Sequence, residues 1–267
     1  MDGKVAVVTG GGSGLGAAIS ERLARDGATV VVADVDGQAA ELVAGGLGEL
    51  GGGVGVSVFD VADSAAATAA IDEVVAEHGR IDVLVNNAGI APTRVEVRDR
   101  AVANMAARMA GGEVVPIEAT STLTDAEWDR MLKVHLYGTF HCTRAALRHM
   151  EPRRSGSIVN MASIAGLTGI PTAPEYSAAK GGIVMFTKAV AAEVAPLGIR
   201  VNAVAPAYID TPLLSDFDDM VRAMLTMRTP LGRLGRAEEV ANLVAFLAGD
   251  EASYSVGEVV TITGGFA

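Results

Sequence analysis

The chain has 267 residues, half of them hydrophobic and a fifth charged, with a formal charge of −11 and one cysteine, Cys142. That length fits a large α/β domain with a substantial core, and the negative balance argues against a nucleic-acid partner held through Lys and Arg. A lone cysteine excludes an intrachain disulfide and fits a reducing compartment, and no run approaches the roughly 18 apolar residues of a membrane span.

The chain enters a strand almost at once, with Asp2 ahead of Lys4-Val-Ala-Val-Val8, so no signal peptide is expected and the expected location is cytoplasmic. Short β-branched runs fall at 5–9, 29–33, 54–59, 83–86, 157–161, 200–205 and 259–263, with helical spacing between them. Continuous apolar strands alternating with helices indicate a parallel sheet covered on both faces. Right-handed crossovers make this a Rossmann-like, doubly wound α/β sheet of about seven strands, in one domain over 1–267.

The first strand runs into Thr9-Gly-Gly-Gly-Ser-Gly-Leu-Gly16, and a helical pattern follows. Gly10, Gly14 and Gly16 let the backbone turn sharply and let a pyrophosphate approach. The turn they form with Gly12, Ser13 and Leu15 opens a helix whose unpaired N–H groups face that anion. Asp34 ends the second strand at the spacing, about twenty residues on, of a carboxylate that accepts from both hydroxyls of an adenosine ribose. Val35, Asp36 and Gly37 follow, with no cation to hold a 2′-phosphate, so the expected cofactor is NAD rather than NADP. The glycine-rich stretch 45–55 reads as a loosened helix end and loop.

Asp60-Val61 closes the third strand, where an Asp can meet the adenine amino group. Ser64 is the expected cap of the next helix, and Gly79, Gly198 and Gly249 are expected left-handed helix ends. Asn86-Asn87-Ala88-Gly89 closes the fourth strand, with small residues for a cofactor and amides that can tie strands together. Residues 90–123 are long for a βα connection. Their segment 101–110 carries Val102, Met105, Ala106 and Met109 on one helical face. It is either a surface decoration or a pocket wall or oligomer contact. Thr124-Asp-Ala-Glu127 is a capping box for a helix to about residue 150, with Cys142 in its core pattern.

Tyr176 and Lys180 stand at i and i+4, on one face of a helix. An ammonium beside a phenol favours the phenolate and lowers its pKa, and such a phenol can trade a proton with an alcohol or a carbonyl. Ser163, after the strand at 157–161, can bond the same substrate oxygen. Alone, the same residues also describe a surface tyrosine and a solvated lysine; the glycine turn supplies the context. Residues 207–233 read as a substrate lid with Phe217, Met220, Met224, Leu225 and Met227. Met220, Met224 and Met227 share a face that serves either helix packing or a pocket for a substrate with an apolar body.

Thr9-Gly-x-x-x-Gly-x-Gly16, Asp60-Val61, Asn86-Asn-Ala-Gly89, Ser163, Tyr176-x-x-x-Lys180 and Pro206-Ala-Tyr-Ile-Asp-Thr211 span nearly the whole chain in order. In that combination the sequence resembles the short-chain dehydrogenase/reductase family of the compact one-domain type. The resemblance implies Tyr176 as general acid/base, Lys180 lowering its pKa and holding the nicotinamide ribose, and Ser163 on the substrate oxygen. It implies that Asn87, Ala88 and Gly89 lie along the cofactor and that Pro206, Ile209 and Thr211 flank the nicotinamide. It also implies a homo-oligomer, a tetramer in preference to a dimer, built through helices near 125–150 and 176–195.

Two departures from the family pattern stand out. His135 occupies the place of an asparagine that serves a water-linked proton relay, and it either takes that relay role, titrating near neutral pH, or fills a helix kink. Ala207 replaces a glycine. The activity so implied is NAD-dependent hydride transfer between a secondary alcohol and its ketone. A 3-oxoacyl reductase and an NAD-binding sensor or scaffold are the alternatives, and no metal is expected.

Overall fold

Seven parallel strands form the centre of the protein in the order β3-β2-β1-β4-β5-β6-β9. They are β1 (Val5–Thr9), β2 (Thr29–Asp34), β3 (Val54–Val58), β4 (Val83–Asn86), β5 (Gly156–Met161), β6 (Ile199–Pro206) and β9 (Val259–Ile262). The structure is a computed structural model that describes residues 1–50, 52–214 and 219–266. Gly51, in the glycine-rich stretch, and Phe217, in the anticipated lid, lie outside the described residues.

Alternate strand residues feed two apolar layers. Val8, Val32, Val85 and Val204 pack under α1 (Gly14–Arg25), α2 (Gly37–Leu47) and α10 (Ala237–Ala248). Val7, Val31, Leu84 and Ile158 pack under α3 (Ser64–His78), α6 (Gly138–Arg153) and α8 (Pro174–Val194). Fully apolar strands are what a sheet covered on both faces requires, so all seven runs read from the sequence become strands of one single-domain α/β fold. Beside the sheet, β7 (Ile209–Asp210) pairs with β8 (Gly235–Arg236), a short ladder not anticipated. Short α7 (Ala165–Thr168) follows β5, and α9 (Asp219–Arg228) follows β7.

The Thr124 capping box opens α5 (Asp125–Leu132), which continues through a π-helical turn (Lys133–Tyr137) into α6. Gly79 and Gly198 are left-handed helix ends, as expected. Two anticipated caps differ. Asp63, not Ser64, caps α3, its carboxylate accepting from the amides of Ala65 and Ala66. Gly249 is extended (φ −79°, ψ 171°), because the chain after α10 turns at once into a short 3-10 segment.

The 90–123 excursion carries α4 (Val95–Met109). Its buried residues are Val97 and Asn104, whereas Met105 and Met109 are exposed. The face is turned because the Asn104 side chain bonds the Val115 backbone in both directions, at 2.6 and 2.9 Å. In α9 likewise, Val221 and Leu225 are buried, while Met220 and Met227 are 65% and 80% exposed. Of the methionine stripe, Met220 and Met227 therefore do not pack onto the domain, whereas Met224 is half-buried.

Candidate active site

The carboxyl ends of β1, β2 and β4 meet where the strand order changes direction, the expected place for a ligand. Gly10 (φ 63°) and Gly14 (φ 50°) take the left-handed backbone that glycine allows. A Cβ on Gly16 would stand 1.9 Å from the Gly10 carbonyl oxygen, and one on Gly10 would stand 2.8 Å from Ala88 Cα. The turn is thus pressed against the end of β4. Asn87 Nδ2 donates to the carbonyls of Thr9 and Gly10, both at 3.0 Å. Thr9 Oγ1 accepts from the amides of Asn87 and Ala88 at 3.0 and 3.1 Å. Asn86 Nδ2 donates to Asn160 Oδ1 and Thr143 Oγ1, tying β4 to β5 and α6.

Ser13, the N-cap of α1, makes no side-chain capping bond, and no acidic residue lies in the first turn. The leading amides of α1 stay open to an anion, so this turn fits a dinucleotide pyrophosphate. Asp34 leans over the turn, Oδ2 accepting from the Gly12 amide at 2.9 Å and Oδ1 from Asp36 at 3.1 Å. Thr211 and Pro212 close the other side, at 3.8 and 3.6 Å from where a Cβ on Gly14 would be. Pro206 ends β6, and Ile209 is buried in the core beneath this edge. Ala207 is absent from the positive-φ positions among the described residues, so alanine there strains nothing. Asp60 is exposed, its Oδ1 accepting from the Ala62 amide at 2.8 Å. Val61 is buried against α6, where a Cβ on Gly138 would reach it at 2.7 Å.

Ser163, Tyr176 and Lys180 come together at the ends of β5 and α8. Lys180 is buried and its Nζ donates to the Met161 carbonyl at 2.6 Å, 5.7 Å from the centre of the Tyr176 ring. Burial pushes this ammonium down to about 7. Burial also pushes the Tyr176 phenol up, and contact with the Ser163 hydroxyl opposes that. The lowering of the phenol by Lys180 expected from the sequence is therefore not the direction found: desolvation dominates, opposed only by the Ser163 hydroxyl, and the lysine is itself desolvated. Ser163 Oγ also accepts from the Ala165 amide at 3.2 Å.

His135 joins the group from the π-helical turn. Its ring meets the Tyr176 ring edge-on, with centroids 5.3 Å apart. Its Nε2 lies 3.0 Å from the Ile90 carbonyl oxygen and 3.1 Å from the Ile90 amide; one tautomer donates to the first, the other accepts from the second. Burial, and then Lys180, push the imidazole down to about 3, against the Ile90 bond. His135 is thus neutral at physiological pH and does not titrate near neutrality, which corrects the sequence reading. It is wedged so tightly that a Cβ on Gly89 would stand 2.5 Å from its Cε1.

The profile of the family described as enoyl-(acyl carrier protein) reductase matches residues 10–267. The cis-4-hydroxycyclohexanecarboxylate dehydrogenase of Sinomonas cyclohexanicum is 41% identical, over 98% of this chain and 96% of its own. The chain is a short-chain dehydrogenase/reductase. This dehydrogenase/reductase is also 37% identical to the 3-oxoacyl-[acyl-carrier-protein] reductase of Thermotoga maritima, over 99% of this chain and 98% of the other. A solved Sinorhizobium meliloti 1021 structure assigned as a short-chain alcohol dehydrogenase superimposes with a TM-score of 0.88 at 30% identity, covering 100% of this chain and 97% of that one.

Two residues of the site escaped the sequence reading. Thr9, read as the end of β1 and the first residue of the glycine motif but given no role, carries the hydroxyl that accepts from the Asn87 and Ala88 amides. Glu175, just before Tyr176, reads as an ordinary first-turn acid favoured by the helix dipole. It is instead only 3% exposed, and no local pattern announces a buried acid there.

Proposed function

We propose that this dehydrogenase/reductase is NAD-dependent and moves hydride between a secondary alcohol, or its ketone, and nicotinamide, with Tyr176 as acid/base. The observation that carries the reading is the convergence of the Tyr176 phenol, the Ser163 hydroxyl and buried Lys180 beside the glycine turn. The dinucleotide would lie along Gly10, Gly12, Ser13, Gly14, Leu15 and Gly16, Asp34, Asp60-Val61 and Asn87-Ala88-Gly89. Its nicotinamide end would lie by Pro206, Ile209, Thr211 and Lys180. When bound, the nicotinamide gives or accepts the hydride, and the protein supplies placement and proton transfer.

Ser163 fixes the substrate oxygen, and Tyr176 takes its proton in oxidation or returns it in reduction. Lys180, held by the Met161 carbonyl, sets its ammonium beside the phenol that must ionise, and its depressed pKa lets that charge come and go near neutral pH. His135 holds Ile90 and the Tyr176 ring in place as a neutral wedge. Asp34, already bonded to the Gly12 amide, presents its carboxylate where a 2′-phosphate would be repelled. The relative named for a hydroxycyclohexanecarboxylate supports an alicyclic alcohol as substrate, and exposed Met220 and Met227 on α9 support an apolar body. A homotetramer is the expected assembly. Exposed Tyr137, Phe140 and Met185 on the long helices offer one of its faces. Expected location is the cytoplasm; no helix among the described residues is long and apolar enough to cross a membrane.

Tyr176→Phe tests the reading: turnover is lost, by about 10²-fold or more, while NADH fluorescence binding persists. Retained turnover refutes it. For Asp34→Ala, the NAD/NADP ratio of kcat/KM falls, and an unchanged ratio removes the NAD assignment. The 3-oxoacyl reductases among the relatives favour a second reading, reduction of a 3-oxoacyl thioester. Assays in both directions, with cyclic alcohols and 3-oxoacyl thioesters, separate the two.

A further inference from the structure

Glu175 is buried beside Tyr176, and its Oε2 is enclosed without a hydrogen-bond partner among the described residues. An unpaired buried carboxylate oxygen costs about 1–3 kcal/mol or more, so a donor is expected to meet it. Glu175 lines a small cleft of about 30 Å³, together with Ile90, Thr93, Arg94, Glu127 and Arg130.

Most of the charge around this cleft is already committed. Arg94 donates to the Ala119 carbonyl at 2.5 Å and to Thr122 Oγ1, and its Nε lies 3.4 Å from Glu96. Glu127 Oε2 accepts from the Thr124 amide and hydroxyl at 2.9 and 2.7 Å. The Arg130 side chain, by contrast, makes no hydrogen bond or ion pair among the described residues. The cleft therefore presents one buried unmatched acceptor, Glu175 Oε2, and at its exposed rim the Arg130 guanidinium, which water meets and which is free to turn to a ligand. A hydroxyl group answers both, because it donates one hydrogen and accepts through its lone pairs. A carboxylate would answer Arg130 but face Glu175 as a like charge, and an ammonium would do the reverse.

The cleft shares its framework with the reacting group. Glu175 and Tyr176 are consecutive on α8, and Ile90 of the cleft wall is bonded by His135, whose ring abuts Tyr176. We propose that the cleft between Glu175 and Arg130 is a substrate subsite for a second hydroxyl group, so that the substrate is a diol or a polyhydroxylated alcohol. This deepens the oxidoreductase reading and rests on it.

The test compares cyclohexanol, cyclohexane-1,4-diol and 4-hydroxycyclohexanecarboxylate with the wild type, Glu175→Gln and Glu175→Leu. For wild type, kcat/KM is at least about tenfold higher for the diol than for cyclohexanol. For Glu175→Leu the ratio falls towards one through KM, and Glu175→Gln keeps part of it. Melting curves check that both variants fold; leucine removes an unpaired buried carboxylate, and isosteric glutamine is the second line if it does not fold. Calorimetry on the Tyr176→Phe protein with dinucleotide bound then reads binding without turnover. There the diol binds at least about tenfold tighter than cyclohexanol, and added Glu175→Leu abolishes the difference. Equal binding of diol and cyclohexanol, or a preference that survives Glu175→Leu, overturns the proposal and leaves the cleft with water only. Preference for the carboxylate over the diol also overturns it, in favour of an anion on Arg130. Diol-selective binding without oxidation of any alcohol upholds the subsite and removes the oxidoreductase reading.

Discussion

Gly89→Ala isolates the wedge that seats Tyr176. Gly89 has no positive φ, so alanine is acceptable to its backbone and the conflict lies with one side chain. The new Cβ would stand 2.5 Å from His135 Cε1 and 3.0 Å from Nδ1. His135 is 2% exposed and has no open side to move into. Overpacking of this kind costs about 1–3 kcal/mol. A displaced ring also gives up its bond to Ile90, worth about 1 kcal/mol. The sum, about 2–4 kcal/mol, lowers the melting temperature by about 5–15 °C for a chain of this size. Urea and thermal unfolding measure it, and kcat falls with it because the Tyr176 ring loses its edge contact. The control is His135→Asn, whose shorter side chain leaves room for the new methyl group. The double variant is then within about 1 kcal/mol of His135→Asn alone, a coupling of about 1–3 kcal/mol. A loss under about 0.5 kcal/mol in Gly89→Ala, or an equal loss in the His135→Asn background, refutes the wedge.

Two further outcomes follow from buried charges. Lys180 has its pKa depressed to about 7 in the folded protein against about 10.4 in the unfolded chain, so between these values the unfolded chain binds more protons and stability rises with pH. Lys180→Met removes that rise and melts higher at pH 7; a wild type whose stability is flat from pH 7 to 10 contradicts the depressed value. Asp82 is 5% exposed; burial pushes its carboxyl up, but bonds from Arg80, the Val5 amide and Arg153 outweigh that and hold it low. Its contribution is present above the unfolded value of about 3.9 and is lost as pH falls through the folded value. Asp82→Asn is therefore less stable at pH 7, by about 2–3 kcal/mol, with a shallower acid limb in denaturation. Stability–pH curves that run parallel for the two proteins contradict this.

The sheet was legible because apolar runs between helical stretches leave few topologies. The glycine turn and the Ser163, Tyr176 and Lys180 group were legible because each occupies a fixed local geometry. What the sequence hid depends on contacts distant along the chain. The exposed face of α4 follows from Asn104 bonding Val115, and the neutrality of His135 from burial against Ile90 and Lys180. The cap of α3 at Asp63 instead of Ser64 is a one-residue choice between two good capping residues. The 209–210 and 235–236 ladder is too short to leave any alternation.

Among the described residues, the excursion at 90–123 is braced largely by bonds within itself, and it meets the rest of the domain where His135 bonds Ile90 and where Arg94 Nε lies 3.9 Å from Glu127. Asn104 links α4 to Val115, and Arg94 reaches the Ala119 carbonyl. With only Val97 and Asn104 of α4 buried, this segment is expected to act as its own cooperative unit and to open at a free energy below global unfolding. The expected outcome is that its amides exchange with solvent earlier than those of α6 and α8 and that a protease cuts there first, as exchange and limited proteolysis would measure. Because Arg94 belongs both to that unit and to the wall of the cleft beside Glu175, each opening of the excursion loosens the cleft while the seven strands stay closed.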